Sequence, residues 1–127
     1  MELVKSFFDA YSLQSAKLYV SSSFKAAETS KIWNNGAPYD LIYFFEHLSK
    51  LVHALHKWVK RNKKKSNNIV IKNLIQTYSI KQWETNLNYI LCYALSNHSL
   101  FEASVDLAVL HFYEIVNQLI ENAYLMI

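Results

Sequence analysis

The chain has 127 residues, enough for one hydrophobic core and too few for two, since a domain of this size buries roughly two thirds of the surface its unfolded chain exposes. Glycine occurs once, at Gly36, and proline once, at Pro38, so the turn residues that tight hairpins need are missing and a strand-rich fold is excluded. The net charge of +3 hides a polarity along the chain: residues 47–83 carry nine Lys and Arg and no acid, whereas residues 84–127 carry five acids and no Lys or Arg.

These features predict an all-α, compact single-domain bundle of about five to six helices. Glu2 to Tyr11 reads as a first short helix, with Ser12 either continuing it or capping the next. From Leu13 to Trp33, Ala16, Tyr19, Val20, Phe24, Ala27 and Ile32 recur at helical spacing between polar residues. Asn34-Asn35-Gly36 tolerates the left-handed backbone of a C-terminal cap, and Pro38 has the fixed φ of a new first turn. The next helix runs from Pro38 to about Arg61, with Leu41, Phe44, Phe45, Leu48, Leu51, Val52, Leu55, Trp58 and Val59 on one face. A polar, cationic loop follows over Asn62–Asn68, and Ile69–Tyr78 is expected to be helical, although its Ile-Val-Ile start would also suit a strand. Ser79…Gln82 and Ser99…Glu102 match the capping box, predicting helices from about Ile80 to Leu95 and from Leu100 to about Tyr124.

No membrane partner is expected. The longest apolar run, Tyr89–Leu95, falls far short of the ~20 residues that a span needs. The start Met1-Glu2-Leu3-Val4-Lys5 lacks the features of a signal peptide, so a cytoplasmic location is expected. Cys92, among Tyr89, Ile90, Leu91 and Tyr93, is expected to be a buried and inert thiol. A hydrophobic content of 52% with 15% aromatics leaves apolar surface for partners to cover.

Catalytic chemistry finds no footing. His47, His53 and His56 lie on one predicted helix, but no zinc-ligand spacing is present, and a single glycine cannot build a phosphate-cradling loop. Arg61 is followed four to six positions later by Lys65, Ser66 and Asn67, so the arginine-then-histidine motif of helical HEPN ribonucleases is absent. The chain is therefore read as a non-enzyme that needs no cofactor or metal. A helix-turn-helix DNA reader is disfavoured, because no short helix pair carries an Arg-, Asn- or Gln-rich recognition face.

The basic cluster is the strongest functional signal. Lys57, Lys60, Arg61, Lys63, Lys64 and Lys65 place six cations in nine residues, and Lys50, His53, Lys57 and Lys60 recur every three or four positions as one stripe. Such a stripe can follow the phosphates of a nucleic-acid strand without reading its sequence, and the prevalence of lysine over arginine argues against base reading. A solvated helix end and loop account for the same residues. The tyrosines and tryptophans, Tyr39 and Tyr43 among them, could stack on bases or anchor a partner, but most fall on apolar faces and core packing is expected.

Ala16-Lys17-Leu18-Tyr19-Val20-Ser21, Lys25, Ile32-Trp33-Asn34-Asn35-Gly36, Leu41-Ile42-Tyr43-Phe44-Phe45 and Ser49-Lys50 together resemble the small helical subunit of type III-B (Cmr-type) CRISPR effector complexes. The resemblance spans residues 14–50. Ala26-Ala27 stands where that family often has Leu-Pro, and the last helix is acidic where the family's is basic. The resemblance implies a non-catalytic antiviral-defence subunit that contacts the backbone of guide RNA and target RNA and stacks with other effector subunits. It adds Lys17, Lys25 and Lys50 to the candidate RNA-binding residues. The basic middle and acidic C-terminal part would then favour head-to-tail self-association into a filament. The alternative reading is a helical protein-interaction module, a viral or plasmid adaptor or inhibitor, with no nucleic-acid role.

Overall fold

The structure is a computed structural model that describes residues 2–62, 68–103, 105 and 107–127. Six helices account for its regular structure: α1 (Glu2–Ala10), α2 (Leu13–Glu28), α3 (Pro38–Arg61), α4 (Ile69–Ile75), α5 (Ile80–Ala94) and α6 (Val109–Tyr124). No strand occurs among the described residues. The expected all-α bundle is what forms.

Ser12 ends the first helix by starting the second. Its backbone is extended, and its hydroxyl accepts the Ser15 N–H at 3.0 Å, satisfying one of the orphan donors of a helix N-terminus. Pro38 opens α3 as expected, and Asp40 accepts the Ala37 N–H at 3.0 Å. Ser79 and Gln82 form the full reciprocal capping box of α5.

Helix α5 packs against both α2 and α3, which also touch each other. Helix α6 lies against α2 and α4, and α1 lies against α3. Trp83 of α5 is fully buried, donates its indole N–H to the Ile75 carbonyl at 2.9 Å and touches the rings of Tyr78 and Phe112. A second aromatic cluster surrounds Phe44, which meets Phe7, Tyr11 and Tyr19.

Four local expectations are corrected. Helix α2 stops at Glu28 instead of reaching Trp33, because Thr29 turns extended and the chain doubles back. Trp33 is then buried: its backbone N–H reaches the Ala94 carbonyl at 2.8 Å, its indole N–H donates to Ser22 Oγ at 2.9 Å, and its ring stacks on Tyr19. Burying this indole outweighs the helical propensity of the segment. Asn34-Asn35-Gly36 is accordingly no helix cap, and Gly36 does not take a left-handed backbone. A Cβ on Gly36 would stand 2.9 Å from Asp40 Oδ2 and 3.3 Å from the Trp33 ring, so a larger residue there would have to displace the Asp40 carboxylate.

The Ser99–Glu102 box also forms, with Glu102 N–H donating to Ser99 Oγ at 3.1 Å, yet it closes a turn and α6 begins only at Val109. Leu100 is buried with its N–H on the Ala27 carbonyl at 2.9 Å, and the Glu102 carboxylate is shared with Ser30 and His98. These tethers to the end of α2 hold the segment away from the α6 axis. Cys92 is exposed rather than buried. The buried line of α5 runs through Trp83, Leu87, Ile90 and Ala94, and Cys92 lies two residues beyond Ile90, a rotation of about 200° that turns it outward.

Two outcomes check this architecture. Trp83→Ala should lower the unfolding free energy in urea by about 3–5 kcal/mol, the usual range for a fully buried aromatic, and Trp83→Phe should lose less because the ring is kept. Cys92 should react stoichiometrically with a disulfide reagent in native buffer. A thiol that reacts only in denaturant would contradict its placement.

Candidate nucleic-acid interface

Helix α3 buries Leu41, Phe44, Phe45, Leu48, Leu51, Val52, Leu55 and Val59, so its opposite face must meet solvent. That face holds Lys50, Lys57, Lys60 and Arg61, all exposed. At about 100° per residue, Lys50, Lys57 and Arg61 fall within roughly 40° of one another, and Lys60 borders them. The rise of a helix places Lys50 and Lys57 about 10 Å apart along the axis and Arg61 about 6 Å further. Among the described residues, none of these four cations forms an ion pair. Lys60 and Arg61 also face the negative end of the helix dipole, and Asn62 caps that end through Trp58.

The other candidate residues lie apart. Lys17, half-buried on α2, forms an ion pair with Glu121 of α6 and is therefore already neutralised within the chain. Lys25 is exposed near the end of α2 and lines a separate hollow with Lys31, Trp33, Asn34 and Asn35. Lys63, Lys64 and Lys65 lie outside the described residues. The structure thus brings together the α3 cations and separates them from Lys17 and Lys25.

Folding also mixes charges that the sequence keeps apart. Glu84 of α5 reaches His53 at 2.6 Å, so an acid stands within the basic stripe. Glu102 is engaged by His98 and Ser30, and the same hydrogen bonds, that of Ser30 first, hold its carboxyl below the usual carboxylate range. Glu46 is the acid carried by the α3 face itself, one turn before Lys50. Among the described residues, no three His, Cys, Asp or Glu side chains converge on a metal-sized site.

His56 sits at the edge of the α3 core, and its Nε2 is buried without a hydrogen-bond partner. Burial first, then the nearby His53 and Lys60, lowers its pKa below the ordinary histidine value. The imidazole is therefore neutral at pH 7 and contributes no charge to the row.

Tyr39 and Tyr43, expected to be core, are exposed instead at 60% and 42%. They fall off the Leu41–Phe44–Phe45 line and onto the solvent side of α3. Angular position, rather than residue type, was the signal that separates them from the buried aromatics. No described helix is long and apolar enough to cross a membrane.

Because the folded state resists protonating His56 and the unfolded chain does not, stability should fall as pH drops through about 6.5, the unfolded histidine value. His56→Leu should lose less stability between pH 7 and pH 5 than the natural protein, measured by urea midpoints at each pH. Equal losses would contradict the assignment.

Compared with known proteins, the chain matches no family model, no curated protein and no solved structure.

Proposed function

We propose that this chain is a non-catalytic RNA-binding subunit that holds the phosphate backbone along the solvent face of α3. The observation that carries the reading is the alignment of Lys50, Lys57 and Arg61, bordered by Lys60, on the side of the helix opposite its buried stripe, with none of the four in an ion pair among the described residues. Cations left without acidic partners keep their attraction for a polyanion, and a straight helix presents them as a row rather than a cluster. Base identity is left to pairing elsewhere, because three of the four cations are lysines and lysine cannot make the bidentate base contact.

The resemblance over residues 14–50 supplies the setting: a small subunit of a type III CRISPR ribonucleoprotein, facing guide RNA and target RNA beside other effector subunits. Of the three lysines that the resemblance adds, Lys50 belongs to the row. Lys17 is held by Glu121, and Lys25 would meet a strand from a different face. Head-to-tail self-association remains part of the proposal in weaker form, since Glu84 and Glu121 are already paired within the chain.

A second reading is favoured by a different observation. Phe101, Leu110 and Leu125 are 68%, 69% and 79% exposed, which suits a protein-interaction module that buries them against a partner. Leu110 lies on α6 and Leu125 caps its end, so this reading draws on residues outside α3.

Charge reversal separates them. Single-stranded RNA should bind in dilute buffer with an affinity that falls as salt rises, with a logarithmic slope of about −3 if four phosphates are engaged at −0.7 each. Replacing Lys50, Lys57, Lys60 and Arg61 with Glu should abolish RNA retention while leaving any protein partner bound. Glu46→Gln should tighten RNA binding by removing a repulsion from the row. RNA binding that survives the fourfold reversal, or is absent from the natural protein alone and in its assembly, would overturn the proposal.

A further inference from the structure

The exposed row on α3 does not begin with lysine. Tyr39 and Tyr43 occupy the same angular sector as Lys50, Lys57 and Arg61, so that about 100° per residue sets all five within roughly 40°. From Tyr39 to Arg61 the row covers about 33 Å of helix, with an aromatic N-terminal end and a cationic C-terminal end.

The two tyrosines form an ordered unit. Their rings meet edge to face with centroids 4.4 Å apart at 80°, and the Tyr39 hydroxyl donates to the Tyr43 hydroxyl. That hydrogen bond raises the Tyr39 pKa above the ordinary phenol value. Behind them, His47 holds the Tyr43 carbonyl through Nδ1 at 2.8 Å and packs edge-on against Tyr11, whose ring touches Phe44 of the core. The rings are held by each other, and their outer surface is open to solvent at 60% and 42% exposure.

Resting on the backbone-binding reading above, we infer that the RNA taken by α3 is single-stranded, with unpaired bases stacking on the Tyr39–Tyr43 pair while phosphates lie along Lys50, Lys57, Lys60 and Arg61. Aromatic faces accept any base, and their combination with a cationic track is how proteins hold single strands without sequence preference. A duplex hides its base faces and offers only phosphates, so it can use the cationic end alone. Glu46 lies between the two ends and would repel a phosphate placed beside it.

The test uses a 12-nucleotide single-stranded RNA containing 2-aminopurine, the same RNA annealed to its complement, and three full-length proteins: natural, Tyr39→Leu/Tyr43→Leu, and Tyr39→Phe/Tyr43→Phe. Both positions are exposed, so neither double variant threatens the core. The natural protein should bind the single strand more tightly than the duplex and quench 2-aminopurine. The leucine variant should lose about tenfold in single-strand affinity, within the range of base–aromatic stacking, with an unchanged salt slope and unchanged duplex binding. The phenylalanine variant should retain both affinity and quenching, because the ring faces remain. Equal single-strand binding by the natural and leucine proteins overturns this inference and leaves the backbone reading standing. So does loss of a protein partner, rather than of RNA, in the leucine variant. Failure of the natural protein to bind either RNA overturns both.

Discussion

The burial of one face of α3 is the constraint on which the rest of the molecule depends. Its large apolar side chains, from Leu41 to Val59, are almost completely removed from water against α1, α4 and α5. Each is worth about 1.5–3 kcal/mol relative to exposure, so rotating the helix by even one residue, about 100°, would forfeit several such contacts and force lysine inward. The direction in which Lys50, Lys57 and Arg61 point is thereby tied to the stability of the fold. No separate device is needed to aim them.

The electrostatic picture differs in space from its form along the chain. A basic middle and an acidic C-terminal stretch suggest two opposed surfaces, but folding delivers Glu84 to His53 and Glu121 to Lys17. Exposed pairs of this kind contribute only about 0–1 kcal/mol to stability. Their larger effect is on the field: Glu121 neutralises Lys17 on α2, Glu84 sets an acid on the flank of α3, and the outward cations of α3 form no ion pair among the described residues. The acidic surface left for a neighbouring copy is correspondingly reduced.

Much of this was legible in the residues. Pro38, an unbroken apolar stripe and terminal basic residues delimit α3, and the Ser79–Gln82 box starts α5, because in both cases local chemistry and tertiary packing agree. Where they disagree, local reading fails. Ser99–Glu102 has the same motif as Ser79–Gln82, yet contacts with Ala27 and Ser30 keep it a single turn. Trp33 continues the helical spacing of α2, but its bonds to Ser22 and Ala94 depend on where α5 passes. Within the candidate site, the cationic row follows from spacing alone. The fates of Lys17, His53 and Cys92 depend on neighbours and helix rotation that composition does not reveal, and Tyr39 and Tyr43 separate from the core aromatics only once the buried line of α3 is drawn.

Residue-by-residue mapping of bound RNA by nuclear magnetic resonance tests the central claim most directly, because it reads location rather than affinity. The account predicts that adding a single-stranded RNA in low salt perturbs backbone and side-chain signals of the outward α3 residues, from Tyr39 to Arg61, and leaves α6 unmoved. Perturbations centred on Lys17, Lys25 or the exposed apolar side chains of α6, with α3 silent, would contradict it.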